Sequence, residues 1–121
     1  MESKDVCFCP LYGILDVIAK KWALLIIGLL GNEGPKGFNA LQRELKGISP
    51  KTLSKTLKEL EEHGLVERRV IGTSPPRVEY SLSRDGWELR RRLIPLLKWV
   101  SEKGIKKVPW CPIKLSSLHS L

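Results

Sequence analysis

Histidine is scarce in this chain of 121 residues: His63 and His119 are its two copies, far apart and without ligand-like spacing. That argues against a histidine-based metal centre or a Ser-His-Asp type of catalytic constellation. Cysteine is scarce too, with Cys7 and Cys9 close together and Cys111 distant. An odd, unevenly spread set of three is no disulfide framework, and a three-thiolate metal site is disfavoured against inert thiols. Long apolar runs are missing. The longest, Trp22 to Leu30, has nine residues, well short of the roughly 20 that a membrane helix requires. The start, Met1-Glu2-Ser3-Lys4-Asp5, lacks the charge pattern of a secretory signal. These absences lead us to expect a cytoplasmic chain with no membrane partner, no metal and no cofactor.

Acidic residues are also in short supply, 13 against 21 Lys and Arg, for a net charge of +8. A small domain this basic fits a polyanionic partner. The excess is localised: residues 1–35 carry three basic and four acidic groups, residues 36–92 thirteen and eight, and residues 93–121 five and one. Gly31 to Gly37 includes Lys36, but its spacing is not that of a phosphate-cradling loop.

Periodicity supplies the elements. Leu11, Ile14, Leu15 and Ile18 are spaced for one face of a helix. Trp22 to Leu30 is apolar nearly all round, as in a buried helix, with Gly31 as a C-cap and a loop to Pro35. A short helix follows, with Asn39 and Gln42 placed as a capping box and Leu41 and Leu45 on one face; Gly47 ends it. Ser49 and Pro50 then suit the N-cap and first position of a helix running to His63 and stopping at Gly64. The period next changes to two. Val66 and Val70, then Val78, Tyr80 and Leu82, alternate with polar residues around Gly72-Thr73-Ser74-Pro75-Pro76, which predicts a β-hairpin. Ser83 caps a last helix from about Arg84 to Lys103, which Pro95 is expected to kink.

Two helices joined by the Gly-containing turn Gly47-Ile48-Ser49, followed by a hairpin, describe a winged helix-turn-helix. The fold class is therefore α+β: a ten-residue arm, a winged domain with terminal dimerisation helices over 11–104, and a tail over 105–121. On a helical wheel of 100° per residue, Leu57 and Leu60 lie near Leu53, and Lys51, Ser54, Lys55 and Lys58 lie opposite. That face has three ammonium groups, a hydroxyl and no carboxylate, while Glu59, Glu61 and Glu62 fall in the second half of the helix. Recognition helices present mainly their N-terminal residues to base edges, so this order suits the major groove of double-stranded DNA. Candidate DNA contacts are Ser49, Pro50, Lys51, Thr52, Ser54, Lys55 and Lys58, with Thr73, Ser74 and Arg77 at the wing. Arg90-Arg91-Arg92 reads as solvated helix surface. Leu89, Leu93, Leu96, Leu97 and Val100 form one stripe which, with the apolar first helix (Leu11, Ile14, Leu15, Ile18), exceeds what one small domain can cover. That implies a homodimer.

Several segments together resemble the HxlR-type winged helix-turn-helix regulators, relatives of the MarR group. They are Cys9-Pro10, Leu15-Asp16-Val17-Ile18 leading to Lys21-Trp22, Gly47 to Ser54, Leu60 to Val66, and Pro75 to Leu82. The resemblance spans about Cys9 to Trp99. It implies a homodimeric bacterial or archaeal transcriptional regulator on a pseudo-palindromic operator. It also implies a sensor role for Cys9 toward oxidants or a small-molecule electrophile; Cys7 would resolve it, and a helix N-terminus would lower the Cys9 pKa. Two departures stand out. Ala19-Lys20 replaces a glycine pair, so the first two helices can run on without a break, and Gly37 replaces an arginine that contacts DNA backbone. Two rival readings remain: a winged-helix protein–protein module, with DNA binding that lacks sequence preference, and a thiol-based redox protein, with thiol turnover.

Overall fold

The computed structural model describes residues 5–103; Lys4, Gly104, Cys111 and the 105–121 tail lie outside them. A single 3-10 turn, Cys9–Leu11, leads into α1 (Ile14–Ile18) and α2 (Lys21–Glu33). A two-residue strand β1 (Lys36–Gly37) precedes α3 (Phe38–Glu44) and α4 (Pro50–Glu62). The wing is β2 (Val66–Ile71) and β3 (Arg77–Leu82), and α5 (Arg84–Glu102) follows, continuing past Pro95. The sheet is antiparallel in the order β1-β3-β2. This is a winged helix-turn-helix of the α+β class.

α2 is the hub. Ala23, Ile26, Ile27, Leu29 and Leu30 are buried on it, as the all-round apolar pattern requires. Leu41 and Leu45 from the α3 segment, Ile48 from the turn, and Leu53, Leu57 and Leu60 of α4 close over the same core. Ser49 caps α4 as expected, its Oγ accepting from Thr52 N at 3.1 Å, with Pro50 at the first position. Gly64, at φ 74°, ends that helix, a left-handed conformation that glycine adopts without steric cost. The hairpin register pairs Val66 with Leu82 and Val70 with Val78, so the expected apolar residues share a face. Only its base is buried: Val66 and Leu82 are covered, whereas Val70 is exposed.

Ser83 fastens two elements. Its Oγ accepts from Gly86 N at 3.0 Å to cap α5, and donates to the Gly64 carbonyl at 2.6 Å. Gly86 lies so close beneath that a Cβ there would fall 2.2 Å from the Leu65 carbonyl oxygen. The start of α5 is thus seated directly on the end of α4.

Three local expectations are corrected. α1 and α2 do not run on: Lys20 adopts an extended conformation between them (φ −107°, ψ 142°), although no glycine stands there. α2 does not stop at Gly31 but continues to Glu33, with Gly34 as C-cap. Gly31 serves packing instead, since a Cβ there would collide with the Arg90 side chain crossing it. The Asn39–Gln42 capping box does not form. α3 begins two residues earlier with Gly37 as N-cap and no side-chain cap, because Lys36 and Gly37 are drawn into pairing with Tyr80 and Glu79.

Candidate nucleic-acid interface

α4 has two faces of opposite character. Leu53, Thr56, Leu57 and Leu60 are buried, and Lys51, Ser54, Lys55 and Lys58 are exposed. None of the three lysines is held in an ion pair among the described residues, so all three charges stay available to an anion. Glu59 is engaged, pairing with Lys20 at 3.5 Å, which ties the α1–α2 break to the recognition helix. Glu61 and Glu62 sit exposed at the far end. The charge order read from the wheel is therefore the order on the surface.

Two predicted contacts have other duties. The Ser49 hydroxyl accepts from Thr52 N and donates to Thr52 Oγ1 at 3.0 Å. Both side chains help to start α4, and Ser49 and Pro50 are open to solvent. At the wing, Thr73, Ser74 and Arg77 are exposed, with Arg77 outside every ion pair among the described residues.

Sequence reasoning passed over three cations. Arg43, in the last turn of α3, Lys46 beyond it, and Arg68 on β2 are exposed, and no ion pair among the described residues holds them. The available signal was the charge surplus of residues 36–92, which was assigned to α4 and the wing alone. Conversely, Lys36 counts toward that surplus but not toward a basic surface. Its Nζ lies 2.9 Å from Glu33 and 3.0 Å from Glu44. The hydrogen bond to Glu33, aided by Glu44, holds its pKa above the ordinary lysine value against partial burial. The arginine triplet also divides. Arg91 and Arg92 both pair with Glu88, whereas Arg90 donates to Asn32 of α2 and lies over the Trp87 ring. Arg90 is therefore a packing tether rather than solvated surface.

The expected dimer face is partly corrected. Leu11 and Ile14 are exposed, but Leu15 packs on the core and Ile18 is buried in it, 8% exposed. Ile18 therefore belongs to the subunit's own interior. On α5, Leu89 also packs on the core and Leu93 and Val100 are half-buried; Leu96 and Leu97 are exposed. Trp87 and Trp99, absent from the expected stripe, are exposed too.

The two arm thiols are exposed, and Cys9 N donates to Cys7 Sγ at 3.2 Å. The expected lowering of the Cys9 pKa is overturned. The Cys9 thiol, and then its backbone N–H, donate to Cys7 and hold Cys7 below the usual thiol range; the same thiol contact pushes Cys9 up. The physical reason is local: a three-residue turn is too short to build the dipole of a real helix.

The HxlR-like helix-turn-helix family model matches residues 17–107. The chain belongs to this family. An uncharacterized HTH-type transcriptional regulator of Halalkalibacterium halodurans is 40% identical over 105 residues, 87% of this chain and 89% of its own length. Among solved structures, the reduced form of the transcriptional regulator YodB from B. subtilis superposes with a TM-score of 0.71 at 31% identity, covering 80% of this chain and 94% of its own. The redox regulator HypR in its oxidized form gives 0.67 at 35% identity, covering 83% and 100%. The family match begins after Cys7 and Cys9, so the HxlR-like part is the winged domain and the thiols precede it.

Proposed function

We propose that this helix-turn-helix transcriptional regulator acts in the cytoplasm as a homodimer that binds a pseudo-palindromic operator in double-stranded DNA. One observation carries the reading: the N-terminal half of α4 presents Lys51, Ser54, Lys55 and Lys58 to solvent, with none of its lysines ion-paired among the described residues. The opposite face anchors the helix in the core. The lysines meet phosphates, Ser54 reads base edges, and Arg77 with the wing tip reaches the adjacent backbone. A two-fold dimer places its recognition helices roughly 34–36 Å apart, one turn of DNA. The exposed Leu96, Leu97, Trp87 and Trp99 of α5, with Leu11 and Ile14 of the N-terminal segment, are what a second copy would cover. No described helix is long and apolar enough to cross a membrane.

The same regulator responds to an oxidant or small-molecule electrophile at the arm thiols. Two observations favour this: the paired, exposed thiols themselves, and likeness to a regulator whose structure is described as that of a redox regulator. A change in the arm reaches DNA through α1 and the Lys20–Glu59 pair.

The test is the salt dependence of binding to a labelled duplex of random sequence. Lys51, Lys55, Lys58 and Arg77, doubled in a dimer, give a slope of log K against log salt of about −5 to −7. The double substitution Lys51→Ala/Lys55→Ala should weaken binding on the order of 100-fold and make the slope shallower by about 3. Binding equal to wild type would reject α4 as the DNA-facing helix.

A further inference from the structure

We propose that Arg90 is a positioning residue that sets the half-site spacing read by the dimer, by fixing the direction in which α5 leaves the subunit. This rests on the homodimeric reading above and adds a determinant of its specificity.

α5 is seated at two points. Near its start, Ser83 Oγ donates to the Gly64 carbonyl at 2.6 Å, and Gly86 lies against the Leu65 carbonyl. The origin of α5 is thereby tied to the end of α4. One turn on, Arg90 crosses the last turn of α2. Its stem passes directly over Gly31, where any Cβ would collide with it. Its guanidinium donates to Asn32 Oδ1 and lies 5.9 Å from the centroid of the Trp87 ring. The stem, the fork and the flat face of one half-buried side chain are each engaged. A planar guanidinium bonds in a defined orientation. The contact of the neighbouring Leu89 with the core is apolar and has no preferred direction. The seat at Gly86 alone would let the helix pivot, and the Arg90 fork removes that freedom.

The position of Arg90 along the helix magnifies its effect. At a rise of about 1.5 Å per residue from Gly86, Arg90 lies about 6 Å along α5 and Glu102 about 24 Å. A slip of about 1 Å at Arg90 therefore carries the far end by about 4 Å. That is close to one base-pair step, roughly 3.4 Å. Leu96, Leu97 and Trp99, which a second copy would cover, all lie beyond Arg90 and are exposed. Since α5 starts on the end of α4, its angle is the angle between that surface and the recognition helix. Two subunits joined through α5 then separate their α4 helices by an amount that this angle sets. The adjacent arginines do not share the role. Arg91 and Arg92 both pair with Glu88 of α5 itself, which cannot orient α5 against another element.

Selection of bound sites from a random duplex library, run in parallel on the full chain and three variants, reads the spacing directly. The wild type should enrich a two-fold motif with one dominant spacing. Gly31→Ala displaces Arg90 from its seat and leaves every charge in place, and Arg90→Ala removes the fork. Both should still sediment as dimers and enrich the same half-site sequence. Their preference for the dominant spacing over spacings one base pair longer or shorter should fall about tenfold. Arg91→Ala, which loses the same charge as Arg90→Ala, should keep the wild-type profile. An unchanged spacing preference in either Gly31→Ala or Arg90→Ala would overturn the proposal. So would a broadened profile in Arg91→Ala, which traces the effect to charge, or loss of the dimer in Gly31→Ala, which makes the seat part of assembly. A wild type without a two-fold motif would reject the homodimeric reading and the lever with it. A two-fold motif whose sharp spacing survives the variants rejects the lever alone.

Discussion

The helix-turn-helix and the two ends of the described chain treat apolar residues in opposite ways. From α3 to α4 every large aliphatic side chain is buried: Leu41, Leu45, Ile48, Leu53, Leu57 and Leu60. In the segment before α2 and along α5, large apolar side chains stand in water. Val6, Phe8, Leu11, Tyr12 and Ile14 lie at one end, and Trp87, Leu96, Leu97 and Trp99 at the other; Val70, in the wing, is the exception. The central motif closes its own core within one chain. The ends carry apolar surface that this chain does not cover, although their inward residues, Val17, Ile18 and Leu89, are packed. What the chain covers by itself is thus distinct from the apolar surface that we propose a second copy covers.

The largest expected effect breaks the second half of that comparison. Leu97→Glu alters a residue that is 44% exposed and makes no essential contribution to the subunit core. The subunit should keep its circular dichroism spectrum, sediment as a monomer, and lose operator affinity on the order of 100-fold, because two linked half-site contacts become independent. A variant that still sediments as a dimer would move the interface away from α5.

A smaller effect sharpens the comparison inside the subunit. Gly86→Ala sets a Cβ 2.2 Å from the backbone oxygen of Leu65, which cannot move without disturbing the joint between α4 and α5. It should destabilise by about 2–3 kcal/mol in chemical denaturation. Gly31→Ala looks equally crowded, at 2.1 Å from Arg90 Cδ, but the obstacle is a flexible side chain. Arg90 can swing aside, and the gain in helix propensity, about 1 kcal/mol, offsets its lost contact with Asn32. The net change should be within about 1 kcal/mol. Equal losses at both sites would mean that the Arg90 tether matters as much as the α4–α5 joint.

The contrast also explains what was legible in the sequence. Ser49-Pro50, Gly64, Ser83 and the alternation of Val66, Val70, Val78, Tyr80 and Leu82 act through local rules, and the structure follows them. The outward lysines of α4 were readable because helical period and charge agree there. Most of the failures involve distant partners. Asn39 lost its cap because β1 pairs with β3, 42 to 44 positions along from Lys36 and Gly37. Gly31 read as a helix end because nothing nearby announces that Arg90 will cross it. Ile18 looked like interface because a wheel cannot tell which apolar residues of a half-covered helix turn inward. Ser49 and Thr52, expected at the DNA, also hydrogen-bond each other at the start of α4, a duty that the helical wheel does not display. Cys9, given its role by the family resemblance, was also expected to feel a helix dipole, and the turn that forms is too short to supply one.

We propose that a self-contained recognition motif is paired by its exposed ends into a two-fold reader of DNA. Selection of bound sites from a random duplex library by the full chain tests it most directly. The prediction is an enriched motif with two-fold symmetry, its half-sites centred about 10 base pairs apart. An asymmetric single motif, or no enrichment over the starting library, would contradict it.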